Sequence, residues 1–218
     1  MRRNGYKKIE ALIIGMVVVS SVVLILIPRP SNAVDLGGGT IEWSTGHTVV
    51  GSETYSNGTI ICSGGNLVVP SGTSLLLENA TLKMNSTTPG ALAINVEPNA
   101  WFNATGGSVV TANDPANNYN FWMNGTMNLL NQSIVEECGI WDLNVGSNGL
   151  RVGPNSQLLV DNSTIRNGDR NGIHGYPTTG NPCTIQVINN SLITVNGRHG
   201  IYARSNSNLL VKNSEVTF

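Results

Sequence analysis

The chain has 218 residues, of which only 11% are charged, and its formal net charge is −1 at pH 7. There is no basic face to hold a phosphate backbone and no aromatic RNA-reading motif, so nucleic acid is not an expected partner. At 40% apolar residues the chain is also too hydrophobic for a disordered segment. Gly, Asn, Ser and Thr scattered between short apolar runs indicate a many-turned β protein instead.

Residues 1–33 read as an export segment. Arg2, Arg3, Lys7 and Lys8 form a basic flank, Ala11 to Ile27 is an apolar run broken only by Gly15, Ser20 and Ser21, and Pro28 ends it. Ser31-Asn32-Ala33 fits signal-peptidase cleavage after Ala33. The run is equally long enough to stay as a membrane anchor through residues 11–27. Both readings keep the basic end inside and place the rest at the cell surface or in the medium. A pilin-type signal, with Gly5 followed by Glu10, is opposed by Lys7 and Lys8.

Residues 34–63 read as a Gly-rich linker, Gly37-Gly38-Gly39, followed by lead-in strands such as Thr40 to Trp43 that cap a first coil. From residue 64 the chain becomes self-similar. Asn148-Gly149-Leu150-Arg151-Val152, Asn171-Gly172-Ile173-His174-Gly175 and His199-Gly200-Ile201-Tyr202-Ala203 share one pattern. Each is followed by a second: Val160-Asp161-Asn162-Ser163-Thr164-Ile165, Ile188-Asn189-Asn190-Ser191-Leu192-Ile193 and Val211-Lys212-Asn213-Ser214-Glu215-Val216. Alternating apolar residues predict short strands with one buried face, and Gly and Asn mark the corners between them. Extended backwards, the strand anchors are Leu92, Phe121, Leu150, Ile173 and Ile201, and the corners Asn79, Gly106, Gln132, Asn162, Asn190 and Asn213. Both sets give a period of roughly 27 residues, which suits stacked coils of three strands each. Residues 113–120, 136–147 (with Trp141 and Asp142) and 176–182 are polar loops projecting from the coils. The last strands, Leu209 to Val211 and Val216 to Phe218, lack a polar cap, so the repeats are expected to be truncated at the carboxy terminus.

The Asn-Gly-Ile and Asn-Ser-x-Ile signatures resemble those of the right-handed parallel β-helix of pectate-lyase type, and the repeats are similar to those of carbohydrate-binding proteins and sugar hydrolases. The resemblance spans residues 64–218. It implies an all-β, right-handed parallel β-helix (solenoid) of about six coils behind an N-terminal transmembrane or signal helix, in a surface protein of archaeal or bacterial type. It does not select a function, because lyases, hydrolases, epimerases, adhesins and inert stalks share such folds.

If the strand anchors point inward, their successors point outward. Ala93, Trp122, Arg151, His174 and Tyr202 then form one outward ladder with a rise of about 4.8 Å per coil, and His199, Arg204, Asp169 and Arg170 lie at its edges. Aromatic faces stack on sugar rings and Arg pairs with carboxylates. In the polysaccharide lyases that the chain resembles, the substrate groove runs along such a face. Trp122, Arg151, His174, Tyr202, His199 and Arg204 are therefore the glycan-binding candidates. For lyase chemistry Arg151 or His174 would serve as base with Arg204 as partner. No catalytic residue is assigned, since Asp142, Asp161 and Asp169 are scattered and no carboxylate pair for hydrolysis is visible. His47, His174 and His199 show no metal-ligand spacing with the cysteines, and no cofactor is expected.

Cys62, Cys138 and Cys183 leave at least one thiol free, and the sequence names no disulfide. Of eight Asn-x-Ser/Thr sequons, Asn57, Asn85, Asn103 and Asn124 are the candidate N-glycosylation acceptors, whereas Asn79 and Asn162 sit at corners suited to an asparagine ladder. The expectation is an exported or membrane-anchored cell-surface β-helix with a structural, adhesive or glycan-binding role. The alternative is a polysaccharide lyase or epimerase-like enzyme acting on uronate-containing glycans.

Overall fold

A computed structural model describes residues 32–140 and 149–217. Asn32 and Ala33, at the expected cleavage site, belong to the first strand, while residues 1–31 of the export or anchor segment, Trp141, Asp142, Asn148 and Phe218 lie outside the described residues. Within them the chain is all β, a parallel solenoid of three sheets. The first sheet has eight strands: Asn32–Asp35, Ser52–Ser56, Ser74–Glu78, Trp101–Thr105, Thr126–Leu130, Gln157–Asp161, Cys183–Ile188 and Ser207–Lys212. The second has eight: Thr40–Trp43, Thr59–Cys62, Thr81–Met84, Val109–Ala112, Ile134–Glu136, Thr164–Arg166, Leu192–Thr194 and Glu215–Val216. The third has seven: His47–Thr48, Leu67–Val69, Ala93–Val96, Asn120–Met123, Leu150–Val152, Asn171–Gly175 and His199–Ala203. The chain takes one strand from each sheet in turn, so every strand pairs in parallel with its counterpart one coil away. Strands of the same sheets also run through residues 34–63, where the triple glycine forms the turn between the first two.

Alternation puts one side chain of each pair into the core. Leu75, Phe102, Met127, Leu158 and Ile185 form one inner row, and Ile94, Phe121, Leu150 and Ile173 form another on the third sheet; all are at most 1% exposed. Phe102 meets Phe121 edge-on across the core at 5.4 Å, a geometry that suits the ring quadrupoles. Cys62, Cys138 and Cys183 are buried in this core as free thiols, small hydrophobes rather than crosslinks.

At the amino-terminal end an inner row closes differently. Glu53 stands in register with Leu75. Its carboxylate accepts from the Val50 amide (2.8 Å) and the Tyr55 hydroxyl (3.1 Å) and meets His47 Nε2 at 2.7 Å. Trp43 stacks on His47 (4.1 Å) and abuts Tyr55 edge-on (5.4 Å). A half-buried carboxylate is tolerable only when hydrogen-bonded, and here three groups meet it.

The corner between the first and second sheets explains the Asn-Ser signature. All six corner positions read from the sequence have positive φ, from 47° at Asn162 to 68° at Gln132. Asn and Gly enter this left-handed region most easily. Some corners have a single residue before the serine, as in Asn162-Ser163; others have two, both left-handed, as in Asn189-Asn190-Ser191. The serine turns inward. Ser191 Oγ donates to the Ile188 carbonyl (2.6 Å) and accepts from the Ser163 amide of the preceding coil (3.3 Å); Ser108 Oγ does the same for the Thr105 carbonyl and the Ala80 amide. Outside, asparagine amides link coils: Asn79 Nδ2 donates to Asn57 Oδ1 (2.9 Å) and Asn57 Nδ2 to Asp35 Oδ1 (3.2 Å).

Candidate functional site

The third sheet's outer face carries the candidate ladder. Register pairs Trp122 with Arg151, Arg151 with His174 and His174 with Tyr202, so these four stand in one row on successive coils. The lower end differs from the sequence reading. Phe121 pairs with Ile94, not Leu92, and Trp122 with Asn95, not Ala93. Leu92 and Ala93 are themselves buried. The row therefore runs Val68, Asn95, Trp122, Arg151, His174, Tyr202.

The row is less open than alternation alone suggests. His174 is fully buried, with the Tyr176 ring edge-on at 5.5 Å and the Tyr202 ring tilted at 5.3 Å. Tyr176 follows the Asn171–Gly175 strand and opens the loop that leads back to the first sheet. The Arg151 and Arg204 guanidinium carbons each lie 4.0 Å from its ring centroid. Such contacts contribute about 0.5–2 kcal/mol each, more where water is excluded. Burial lowers the pKa of Arg151 below its ordinary value; Tyr176 opposes that shift and neighbouring Arg204 reinforces it. His199 is half-buried, pairs in register with Asn171 and stacks on Tyr202 at 5.8 Å and 18°. Tyr202 is 45% exposed, and Arg204 is exposed just past the strand end.

Three consecutive members of the row carry a buried polar atom that has no hydrogen-bond partner among the described residues: Asn95 Oδ1, Trp122 Nε1 and Arg151 Nε. Their chemistry is one acceptor and two donors. Orphaned buried groups are rare, and each costs about 1–3 kcal/mol unless something satisfies it. Asn95 and Tyr176 were missed in the sequence. Alternation counted back from Val96 finds Asn95; Tyr176 has no periodic signal, because it lies outside the strand.

Asp169 and Arg170, expected at the ladder's edge, line a separate open pocket with Gly197 and Arg198. Among the described residues no three His, Cys, Asp or Glu side chains are grouped to hold a metal. The glycosylation candidates also separate. Asn57 is an exposed corner residue, and Asn85 and Asn124 are half-buried. Asn103 is only 3% exposed, with its Oδ1 accepting from Asn128 Nδ2 at 2.8 Å. A glycan needs its amide in solvent, so folded Asn103 does not suit one.

Comparisons with protein-family models, with curated proteins and with solved structures find no match to the chain.

Proposed function

We propose that this protein is an exported or membrane-anchored cell-surface β-helix that binds a glycan along the outer face of its third sheet. The observation that carries the reading is the run of orphaned polar atoms on Asn95, Trp122 and Arg151. Sugar hydroxyls both donate and accept, so an oligosaccharide that moves the covering side chains of the row aside supplies a donor to Asn95 and acceptors to Trp122 and Arg151. Trp122 and Tyr202 offer aromatic faces to the apolar side of pyranose rings. Arg151 and Arg204 form no ion pair among the described residues and favour a ligand with carboxylates, such as a uronate-containing glycan.

The alternative, a polysaccharide lyase or epimerase, needs a base to remove a proton α to a carboxyl, and Arg151 and His174, in register on neighbouring coils, are its candidates. One experiment addresses both. The purified full-length protein is screened on a glycan array beside Trp122→Phe, which keeps the ring and loses the N–H, and Arg151→Gln. Binding of uronate-rich glycans that falls about tenfold or more in each variant, as expected for one lost hydrogen bond in a dry site, supports the reading. Release of unsaturated oligosaccharide from the bound glycan moves it to the lyase. Undiminished binding in both variants overturns the placement of the site.

A further inference from the structure

A second groove, of about 600 Å³, opens on a different face, the outside of the first sheet at its amino-terminal coils and the adjoining corner. Asp35, Ser56 and Glu78 form one outward row on three successive coils, since Asp35 pairs with Ser56 and Ser56 with Glu78. Thr54, two residues before Ser56, lies on the same side and also lines the groove. Adjacent coils are about 4.8 Å apart, so Asp35 and Glu78 flank Ser56 in the row, and Thr54 stands beside Ser56 on the same coil.

The polar lining consists of two carboxylates, Asp35 and Glu78, two hydroxyls, Thr54 and Ser56, and two amides, Asn57 and Asn79. Asn57 Nδ2 is spent on Asp35 Oδ1 and Asn79 Nδ2 on Asn57 Oδ1. No Lys, Arg or His is among the described lining residues. Asp35 Oδ1 accepts from the Gly37 amide and from Asn57, which leaves Oδ2 for a ligand. Thr54 supplies an independent observation. It is only 4% exposed, and its Oγ1 is buried without a hydrogen-bond partner among the described residues.

We infer that this groove is a calcium-type divalent-cation site, with Asp35, Glu78 and the Thr54 and Ser56 hydroxyls supplying oxygen ligands and water completing the shell. Calcium takes six to eight oxygens in flexible geometry, whereas magnesium demands a tighter octahedron. The groove has room for a cation that keeps several waters. With two carboxylates on an open face the affinity belongs to the weak class, Kd about 10⁻⁴–10⁻³ M. A cation here would also tie three coils together through side chains, beside the asparagine ladder that links them at the corner.

The test is calcium titration of the full-length protein, read by thermal melting and by calorimetry, against sodium chloride of matched ionic strength. Expected is a saturable rise in melting temperature with calcium that sodium does not reproduce. Asp35→Asn and Glu78→Gln should each weaken the apparent Kd by about tenfold, because charge count sets affinity in such sites. Thr54→Val should weaken it less, and Trp122→Phe should leave it unchanged, which separates this site from the glycan face. No calcium-specific rise in the wild type overturns the inference, as does a rise that Asp35→Asn and Glu78→Gln retain in full.

Discussion

Ser191→Ala tests how far the corner serines hold the coils together. In the wild type Ser191, 1% exposed, gives its hydroxyl proton to the Ile188 carbonyl at 2.6 Å and accepts from the Ser163 amide at 3.3 Å. Alanine leaves that amide without an acceptor in a corner where Ser163 is 3% exposed. An orphaned buried donor costs about 1–3 kcal/mol, so about 2 kcal/mol is expected. For a chain of this length that lowers the melting temperature by about 4–8 °C. Ser214 makes the same two bonds, to the Lys212 carbonyl and from the Ser191 amide, but it is only half-buried. Solvent substitutes there, and Ser214→Ala should cost about 0.5 kcal/mol. The converse change is Ala80→Ser, which installs the hydroxyl at a corner that lacks it and should stabilise by about 1 kcal/mol. Circular-dichroism melts of the three variants decide. A Ser191→Ala shift no larger than that of Ser214→Ala would refute the argument that burial of the lost hydroxyl's position sets the cost.

Burial pushes the Cys62 thiol up to about 11 and the Cys138 thiol up to about 12, so neither forms thiolate near neutrality. The native protein should leave a thiol reagent at pH 8 unconsumed and react at all three cysteines once unfolded; fast labelling of the native form would contradict the packing. Tyr55 is pushed up to about 12, by burial first and then by Glu53. Its neutral form is favoured in the fold, so its contribution is complete below the unfolded pKa of about 10 and is lost as pH rises towards 12. Melts between these limits should fall more steeply for the wild type than for Tyr55→Phe, and equal slopes would exclude the linkage.

The sequence showed the solenoid because corners and strands are local. Positive φ restricts a corner to Asn or Gly, and alternation marks an inward residue without any knowledge of its neighbours. Gln132, which shares the left-handed conformation without the propensity, was legible only from its place in the repeat. Register was less secure. Placing the anchor at Leu92 instead of Ile94 is a slip of two residues, which keeps the correct face but changes the neighbour; Ala93 was therefore placed where Asn95 stands. The burial of His174 was not legible, since it depends on Tyr176 folding back over the sheet, and a loop residue carries no period. The row Asp35, Ser56 and Glu78 was equally hidden, because its members lie about a coil apart and only pairing brings them together.

The two lengths of the corner between the first and second sheets give this fold slack. A coil with one left-handed residue and a coil with two enter the next strand in the same row, as Thr164 and Leu192 do. A single-residue insertion or deletion at that bend is thus absorbed outside the sheets, and neither the inner rows nor the outer ladders move. Coil length can drift while the spacing of side chains along the axis stays fixed. The solenoid behaves as a ruler whose graduations are set by backbone pairing, on which each coil rewrites its own outward residue without disturbing those above and below.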